Sequence, residues 1–165
     1  MVSSRKTWQQ KMQDKEGVPK TLVLQKNFPC FNALAKMGAK ENCTVVLVNP
    51  RDVEQIMKKV PHGKLITLKE ICQALAKKFG ADYCCTLTAG IFTMTAANAC
   101  DEQKSQGTDN GNPFWRTLKI GGFLNPKYPG GQENHKLLLE KEGFTVISSG
   151  RDYRVEDFEK YLADI

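Results

Sequence analysis

Two helical segments joined by a glycine turn restrict the fold of this chain more than any other sequence feature. Apolar residues recur at helical spacing along residues 67–79, at Leu68, Ile71, Cys72, Leu75 and Phe79. Thr67 and Glu70 have the spacing of a capping box, in which each side chain accepts the other residue's free amide. Residues 80–82 (Gly-Ala-Asp) predict a tight turn, and a second helix is predicted over residues 86–100. This arrangement predicts a helix-turn-helix.

The flanking sequence predicts an α/β (α+β) chain that is mainly helical. The flanking elements that we predict are a strand over residues 43–48, helices over 50–60 and 132–142, a strand over 144–148 and a helix over 155–163. A strand over residues 114–120, a turn at Gly121-Gly122 and a return at Phe123-Leu124 would form a β-wing. We therefore expect a winged helix-turn-helix domain with N- and C-terminal extensions.

These elements divide the chain into three predicted regions. Residues 1–50 form an N-terminal arm and a short strand region, residues 51–148 form the winged-helix domain, and residues 149–165 form a C-terminal helix. At 165 residues the chain has the length of one domain with additional segments. We expect it to be a monomer.

Charge is distributed unevenly along the chain, whose net charge is +6. Residues 1–80 contain 15 of the 24 Lys and Arg side chains but only 6 of the 18 Asp and Glu side chains. A basic half favours a polyanionic partner, because Lys and Arg release counterions from nucleic-acid phosphates. Solubility alone is also a sufficient reason for mild basicity.

The cysteines and the N-terminus bear on compartment and metal binding. No apolar signal segment opens the chain and no apolar run is long enough to span a membrane, so we expect a cytoplasmic protein with reduced thiols and no membrane partner. The six cysteines contain no Cys-x-x-Cys pair and only two histidines accompany them, so we expect no metal site and no cofactor. Of these histidines, His62 is predicted in a loop and His135 on the exposed side of a helix.

Three ordered segments resemble one protein family. They are VPHGKLIT at residues 60–67, NPFWR at residues 112–116 and YPGGQENHKLLLEKEGF at residues 128–144. In this order and spacing they resemble the DNA-binding domain of the alkylguanine-DNA alkyltransferases and their non-catalytic alkyltransferase-like relatives. The resemblance implies duplex DNA as a partner, minor-groove contact by the second helix, and rotation of an alkylated guanine into a pocket. There, in the catalytic members, a cysteine takes the alkyl group.

The chain departs from this family at the residues that carry the chemistry. Phe114 stands at the position of the reactive cysteine, and Trp115 stands at that of its neighbouring histidine. Leu68 replaces the tyrosine that presses on a phosphate, and Leu87 lies near the position of the arginine that fills the gap left by the flipped base. Since phenylalanine has no nucleophilic atom, we expect no catalytic residue and no alkyl transfer by the family's route. The prediction is a DNA-binding protein that recognises alkylated or flipped bases in DNA repair.

Two sets of candidate site residues follow from the resemblance. The candidate DNA contacts are Lys64, Thr67, Lys69, Thr86, Thr88, Ala89, Gly90, Thr93, Arg116 and Lys119. The candidate pocket residues are Pro113, Phe114, Trp115 and Tyr128, and the aromatic faces of the last three could stack on a base. The alternative interpretation of Phe114 and Trp115 is that they fill a site that has lost its use.

Two other functions remain open at this stage. Cys84 and Cys85 precede the second helix, whose N-terminal dipole favours a thiolate, so either could act as an alkyl acceptor. No Lys or Arg lies between Lys78 and Lys104, which instead favours a protein-interaction module and a protein partner.

Overall fold

A computed structural model describes residues 5–165, so the first four residues of the predicted N-terminal arm lie outside the described residues. The helices are α1 (Trp8–Lys11), α2 (Phe31–Ala35), α3 (Pro50–Lys58), α4 (Leu68–Phe79), α5 (Thr86–Ser105) and α6 (Gly131–Lys141). The strands are β1 (Lys20–Val23), β2 (Thr44–Leu47), β3 (Ile66–Thr67), β4 (Tyr83–Cys84), β5 (Thr117–Leu118), β6 (Val146–Ser149) and β7 (Asp152–Val155). The predicted fold class, a mainly helical α/β chain built on a helix-turn-helix, is confirmed.

One small sheet connects the N-terminal region to the helix-turn-helix. β1 pairs antiparallel with β2, and β2 pairs in parallel with β4 through Val45 opposite Tyr83 and Val46 opposite Cys84. β4 lies in the connection between α4 and α5. The sheet therefore crosses the predicted boundary at residue 50 and holds the N-terminal region against the helix pair.

The main core lies where α3, α4 and α5 meet. Val53 and Met57 from α3, Ile71 and Leu75 from α4, and Ala96 from α5 are fully buried there. Burying a side chain of the size of valine, leucine or methionine stabilises the fold by about 1.5–3 kcal/mol. Within residues 5–165, no helix combines the length and the apolar character needed to cross a membrane.

The second helix of the pair is longer than predicted. α5 continues to Ser105, five residues beyond the predicted end at residue 100. The added turn contacts α1, where the Glu102 carboxylate accepts the backbone N–H groups of Trp8 (3.1 Å) and Gln9 (3.2 Å). This tertiary contact gives the last turn of α5 a partner that local composition does not reveal.

The predicted strand over residues 114–120 is wrong in most of its length. Residues 114–116 form a 3₁₀ turn, and β5 contains two residues that pair in parallel with β3. In place of the predicted turn and returning strand at residues 121–124 there is a tight turn, in which the Lys119 N–H donates to the Phe123 carbonyl at 2.8 Å. Gly121 and Gly122 supply the positive φ angles of +88° and +85° that this turn requires. The wing is reduced to this turn.

The predicted C-terminal helix over residues 155–163 is also wrong. β6 and β7 form an antiparallel hairpin, followed by a 3₁₀ turn at Phe158–Tyr161. Val155 is fully buried as the last residue of β7, opposite Val146, and Asp157 adopts a left-handed φ of +53°. A left-handed residue at this point prevents an α-helix from starting at Val155.

Candidate nucleic-acid interface

The capping and turn residues of the helix-turn-helix act as the sequence predicts. The Thr67 hydroxyl accepts the backbone N–H of Lys69 at 3.2 Å, and the Glu70 carboxylate accepts the backbone N–H of Thr67 at 3.0 Å. Gly80 ends α4 in the left-handed conformation at φ +68°. These local interactions fix where α4 begins and ends. One face of α5 lies toward solvent, with Leu87 and Ile91 exposed on it.

A groove runs along this exposed face of α5. It has a volume of about 580 Å³ and lies between α5 and residues 118–128. We call it the α5 groove; among its lining residues are Leu87, Gly90, Ile91, Met94, Lys119 and Tyr128. Leu87, Ile91 and Ile120 stand around it with 47%, 57% and 45% of their surface exposed.

The charged residues that line the α5 groove are both lysines. Lys119 and Lys127 line it, and no carboxylate of the described residues does. Both lysines are exposed, and neither takes part in an ion pair within residues 5–165. The groove can therefore receive an apolar or aromatic group while the two ammonium groups face a neighbouring anion.

Five of the predicted DNA contacts lie at the protein surface. Lys64, Lys69 and Lys119 are exposed, whereas Thr88 and Gly90 are half-buried. Lys119 and Gly90 line the α5 groove, and a Cβ at Gly90 would lie 3.5 Å from Leu68 Cδ2. The Thr88 hydroxyl donates to Cys85 Sγ at 3.3 Å, so its proton is already engaged.

Four other predicted contacts are buried on the helix pair. Thr67 is 2% exposed because its hydroxyl caps α4, and Ala89 is fully buried against the core. The Thr93 hydroxyl donates to the Gly90 carbonyl at 2.8 Å inside α5. Thr86 is 6% exposed, yet it lines the α5 groove and its Oγ1 has no partner among the described residues. That Oγ1 is itself buried, so none of the four offers an accessible hydroxyl to a bound group.

Arg116 lies inside the protein and not at the predicted DNA surface. Its guanidinium donates to both carboxylate oxygens of Glu142, with Nη2 to Oε1 at 2.7 Å, and its Nη1 donates to the Val60 carbonyl at 2.8 Å. The Trp115 indole N–H donates to the same Glu142 oxygen at 2.9 Å. Despite its burial, the Glu142 carboxyl has a lowered pKa because Arg116 and Trp115 donate to it. Three of the five guanidinium N–H donors are engaged inside the protein, and the side chain is 14% exposed, so Arg116 is held away from the predicted phosphate contact.

The predicted aromatic pocket is filled. Phe114 is 3% exposed and packs edge-on against Trp115 and Tyr128, with ring centroids 5.5 and 5.6 Å apart. Pro113 is buried beside it, and neither Phe114 nor Trp115 lines the α5 groove. Of the four predicted pocket residues, only Tyr128 reaches this groove. The interpretation in which Phe114 and Trp115 fill the space agrees with the packing.

Tyr128 and His135 form a buried polar pair below the groove. The Tyr128 hydroxyl donates to the Thr117 carbonyl at 3.0 Å, and burial raises the pKa of the phenol above its ordinary value. His135 is fully buried, so its predicted position on an exposed helix face is wrong. Its Nδ1 accepts the Asn125 backbone N–H at 3.1 Å, which places the proton on Nε2, 2.8 Å from the Trp115 carbonyl. Burial lowers the pKa of His135 to about 4.

The two cysteines before α5 are buried. Cys84 and Cys85 are 2% and 5% exposed, and neither lines the α5 groove. A hydrogen bond with Cys84, together with burial, raises the pKa of the Cys72 thiol. This burial does not favour an alkyl acceptor at either position, because a thiolate must be reached by its substrate; Cys84 does line a second concavity, beside α4.

Sequence reasoning missed several residues that line the groove. Ile91, Met94 and Lys127 line it, and Leu87 lies one helical turn before Ile91. The available signal is the spacing of Leu87 and Ile91, which places two large apolar residues on one face of a helix that buries its alanines on another. Lys127 gave no signal, because it reaches the groove from a loop.

The fold and groove define a helix-turn-helix protein with a ligand-sized cleft along its second helix. Its fold is similar to that of S. pombe Atl1 in complex with damaged DNA containing O6-carboxymethylguanine, at 19% identity and a TM-score of 0.48. It is also similar to S. pombe ATL in complex with DNA, at 18% identity and a TM-score of 0.49. Each match covers 70% of this chain and 94% of the other. No protein-family model and no curated protein matches the chain.

Proposed function

We infer that this protein binds duplex DNA through the exposed face of α5. The observation that carries the inference is the α5 groove, which lies beside the second helix of a helix-turn-helix and is lined by Lys119 and Lys127 and by no carboxylate of residues 5–165. The second helix of such a motif is the element that enters a DNA groove. The resemblance of the sequence to the alkyltransferase DNA-binding domain supports the same partner.

We further propose that the α5 groove accommodates a displaced base without a covalent step. Its volume of about 580 Å³ is that of a small-molecule site, and Ile91 and Met94 offer apolar contact to a base. Gly90 lines the groove and allows close approach to the helix backbone. Because no cysteine of the described residues lines the groove, binding there would end without alkyl transfer.

Fluorescence anisotropy tests the binding. A labelled plain duplex and the same duplex with one O6-alkylguanine are titrated at about 50 and 200 mM salt. We expect both to bind at low salt, the modified duplex more tightly, and Lys119→Ala and Lys127→Ala to weaken binding of both. Lys160→Ala, in an exposed ion pair with Asp157 and outside the groove, is the matched control and should bind normally. Absence of binding at low salt by the folded protein rejects the proposal.

Intact mass after incubation with the modified duplex tests the missing covalent step. We expect the protein mass to stay unchanged while the duplex is bound. A mass increase equal to the alkyl group would instead identify an acceptor, and peptide mapping would then locate it among the six cysteines.

A protein-interaction module is the second candidate function. The observation that favours it is the uncharged, apolar surface formed by Leu87 and Ile91, which are 47% and 57% exposed. Co-purification with and without nuclease treatment separates the two candidates. Partners that survive nuclease and are lost in Leu87→Ser with Ile91→Ser support this function, whereas partners lost with nuclease support DNA binding.

A further inference from the structure

A second concavity adjoins the α5 groove on the other side of the start of α4. It has a volume of about 790 Å³ and lies between α4 and the segment 36–43; we call it the α4 basin. Leu68 lines the α5 groove and the next residue, Lys69, lines the α4 basin. Ile120 lines both. The two concavities are therefore neighbours on one surface, separated by the first turn of α4.

Two lysines from different parts of the chain face the α4 basin. Lys69 belongs to the first turn of α4, and Lys36 follows α2 in the N-terminal region. Both are exposed, and neither pairs with a carboxylate within residues 5–165. Gln73, one turn after Lys69, adds an uncharged donor. Three separate polar groups thus converge on one exposed hollow.

Asp82 is the acidic group of the basin. Its Oδ2 accepts both the backbone N–H and the hydroxyl of Thr44, at 2.9 and 3.1 Å. These two hydrogen bonds lower the pKa of Asp82 and hold one carboxylate oxygen toward the sheet. Two ammonium groups against one partly engaged carboxylate leave the basin with a surplus of positive charge.

We propose that the α4 basin holds a segment of the DNA phosphate backbone and that Lys36 contacts it. The inference rests on the proposed function, because it needs a duplex on the exposed face of α5. In a helix-turn-helix the first helix crosses the backbone of the duplex, and Lys69 and Gln73 lie on the exposed side of that helix. Lys36 faces them across the basin. The N-terminal region therefore supplies the second lysine of a phosphate site whose first lysine, Lys69, belongs to the helix pair.

The salt dependence of DNA binding tests the contribution of Lys36. Each neutralised phosphate adds roughly 0.9 to the slope of log affinity against log salt concentration. We expect Lys36→Ala and Lys69→Ala each to lower this slope by about one and to weaken plain and modified duplexes equally. Lys26→Ala is the matched control, because Lys26 lies in the same region, pairs with Glu41 and does not line the basin.

Cys43 provides an independent probe of position. It lines the basin and is the partly exposed cysteine among six, all of which lie within the described residues; the other five are buried. A duplex carrying a disulfide-activated tether on a backbone phosphate is offered to the protein. We expect the Cys43 thiolate to displace the small thiol from the tether and join the DNA, with no product in Cys43→Ser and less in Lys36→Ala.

The two measurements distinguish failure of this inference from failure of DNA binding. A duplex that binds with an unchanged slope in Lys36→Ala and without a cross-link at Cys43 overturns the phosphate site and leaves the proposed function standing. A duplex that does not bind at low salt overturns both. A lowered slope together with a Cys43 cross-link supports both.

Discussion

Arg116 and Glu142 form a bidentate ion pair inside the protein, in which Arg116 Nη2 and Glu142 Oε1 are 2.7 Å apart. The two side chains are 14% and 8% exposed. The pair connects the 3₁₀ turn at residues 114–116 to the end of α6. The Trp115 indole donates to the same carboxylate, and the Val60 carbonyl accepts a third bond from Arg116. The segment at residues 114–116 is thereby held by internal hydrogen bonds.

Removal of the carboxylate should destabilise the fold and not act on DNA binding directly. We expect Glu142→Ala to lower the free energy of unfolding by about 3–5 kcal/mol, because it leaves the Arg116 guanidinium buried without its partner. The double variant Arg116→Met with Glu142→Leu should lose less, since both charges are gone. Urea denaturation measures both. A loss below 1 kcal/mol for Glu142→Ala would show that the pair contributes little.

The helix-turn-helix could be predicted because its determinants are local. The capping box of Thr67 with Glu70, the apolar stripe of α4 and the left-handed Gly80 all lie within one short stretch of sequence. The role of Arg116 could not be predicted in this way. Its partner Glu142 lies 26 residues further along the chain. The sequence around Arg116 does not distinguish an arginine that binds a phosphate from one that pairs with a carboxylate.

The burial of His135 was missed because α6 contains three consecutive leucines. Consecutive helical residues point in different directions, so a leucine run does not identify the buried face. In the structure Leu139 is fully buried and Leu137 is 57% exposed. His135 lies four residues before Leu139 and shares its face.

The groove residues Ile91 and Lys127 come from a helix and a loop, and only the fold brings them together.

The neutral His135 should make the protein sensitive to acid. Burial lowers its pKa from an ordinary 6.5 to about 4. Between these two pH values the unfolded state binds a proton that the folded state does not bind. The free energy of unfolding should therefore fall as pH decreases from 6.5 to about 4, by roughly 3 kcal/mol in total from this residue. Urea denaturation across this range measures the slope.

A pair of histidine variants isolates this effect. His135→Gln keeps a donor and an acceptor but does not titrate, so its stability should depend less on pH between 6.5 and 4. His62→Gln is the control, because His62 is exposed in a loop, and it should keep the wild-type slope. Equal slopes in wild type and His135→Gln would assign the acid sensitivity to other groups.

The attachment of α1 should depend on Glu102. Its carboxylate accepts the backbone N–H groups of Trp8 and Gln9 and the Gln9 side-chain amide, the last at 2.9 Å. We expect Glu102→Ala to free residues 5–12 while the core stays folded, with faster amide exchange at Trp8 and Gln9 and faster cleavage at Lys11. Asp101→Ala, an exposed neighbour without these bonds, is the control. Unchanged exchange at Trp8 in Glu102→Ala would mean that Met12 and the Trp8 ring hold the segment by packing.

Substitution of Gly90 by alanine should raise the stability of the fold and lower the affinity for DNA. It lies within α5 without a positive φ, where glycine costs about 1 kcal/mol relative to alanine. A Cβ there would make an ordinary contact with Leu68 at 3.5 Å, so Gly90→Ala should raise the free energy of unfolding by about 0.5–1 kcal/mol. The same methyl group enters the α5 groove, so affinity for duplex DNA should fall several-fold. Asp101→Ala, at an exposed position of α5 outside the groove, is the comparison. A more stable Gly90→Ala variant with unchanged affinity would place the bound duplex away from the groove.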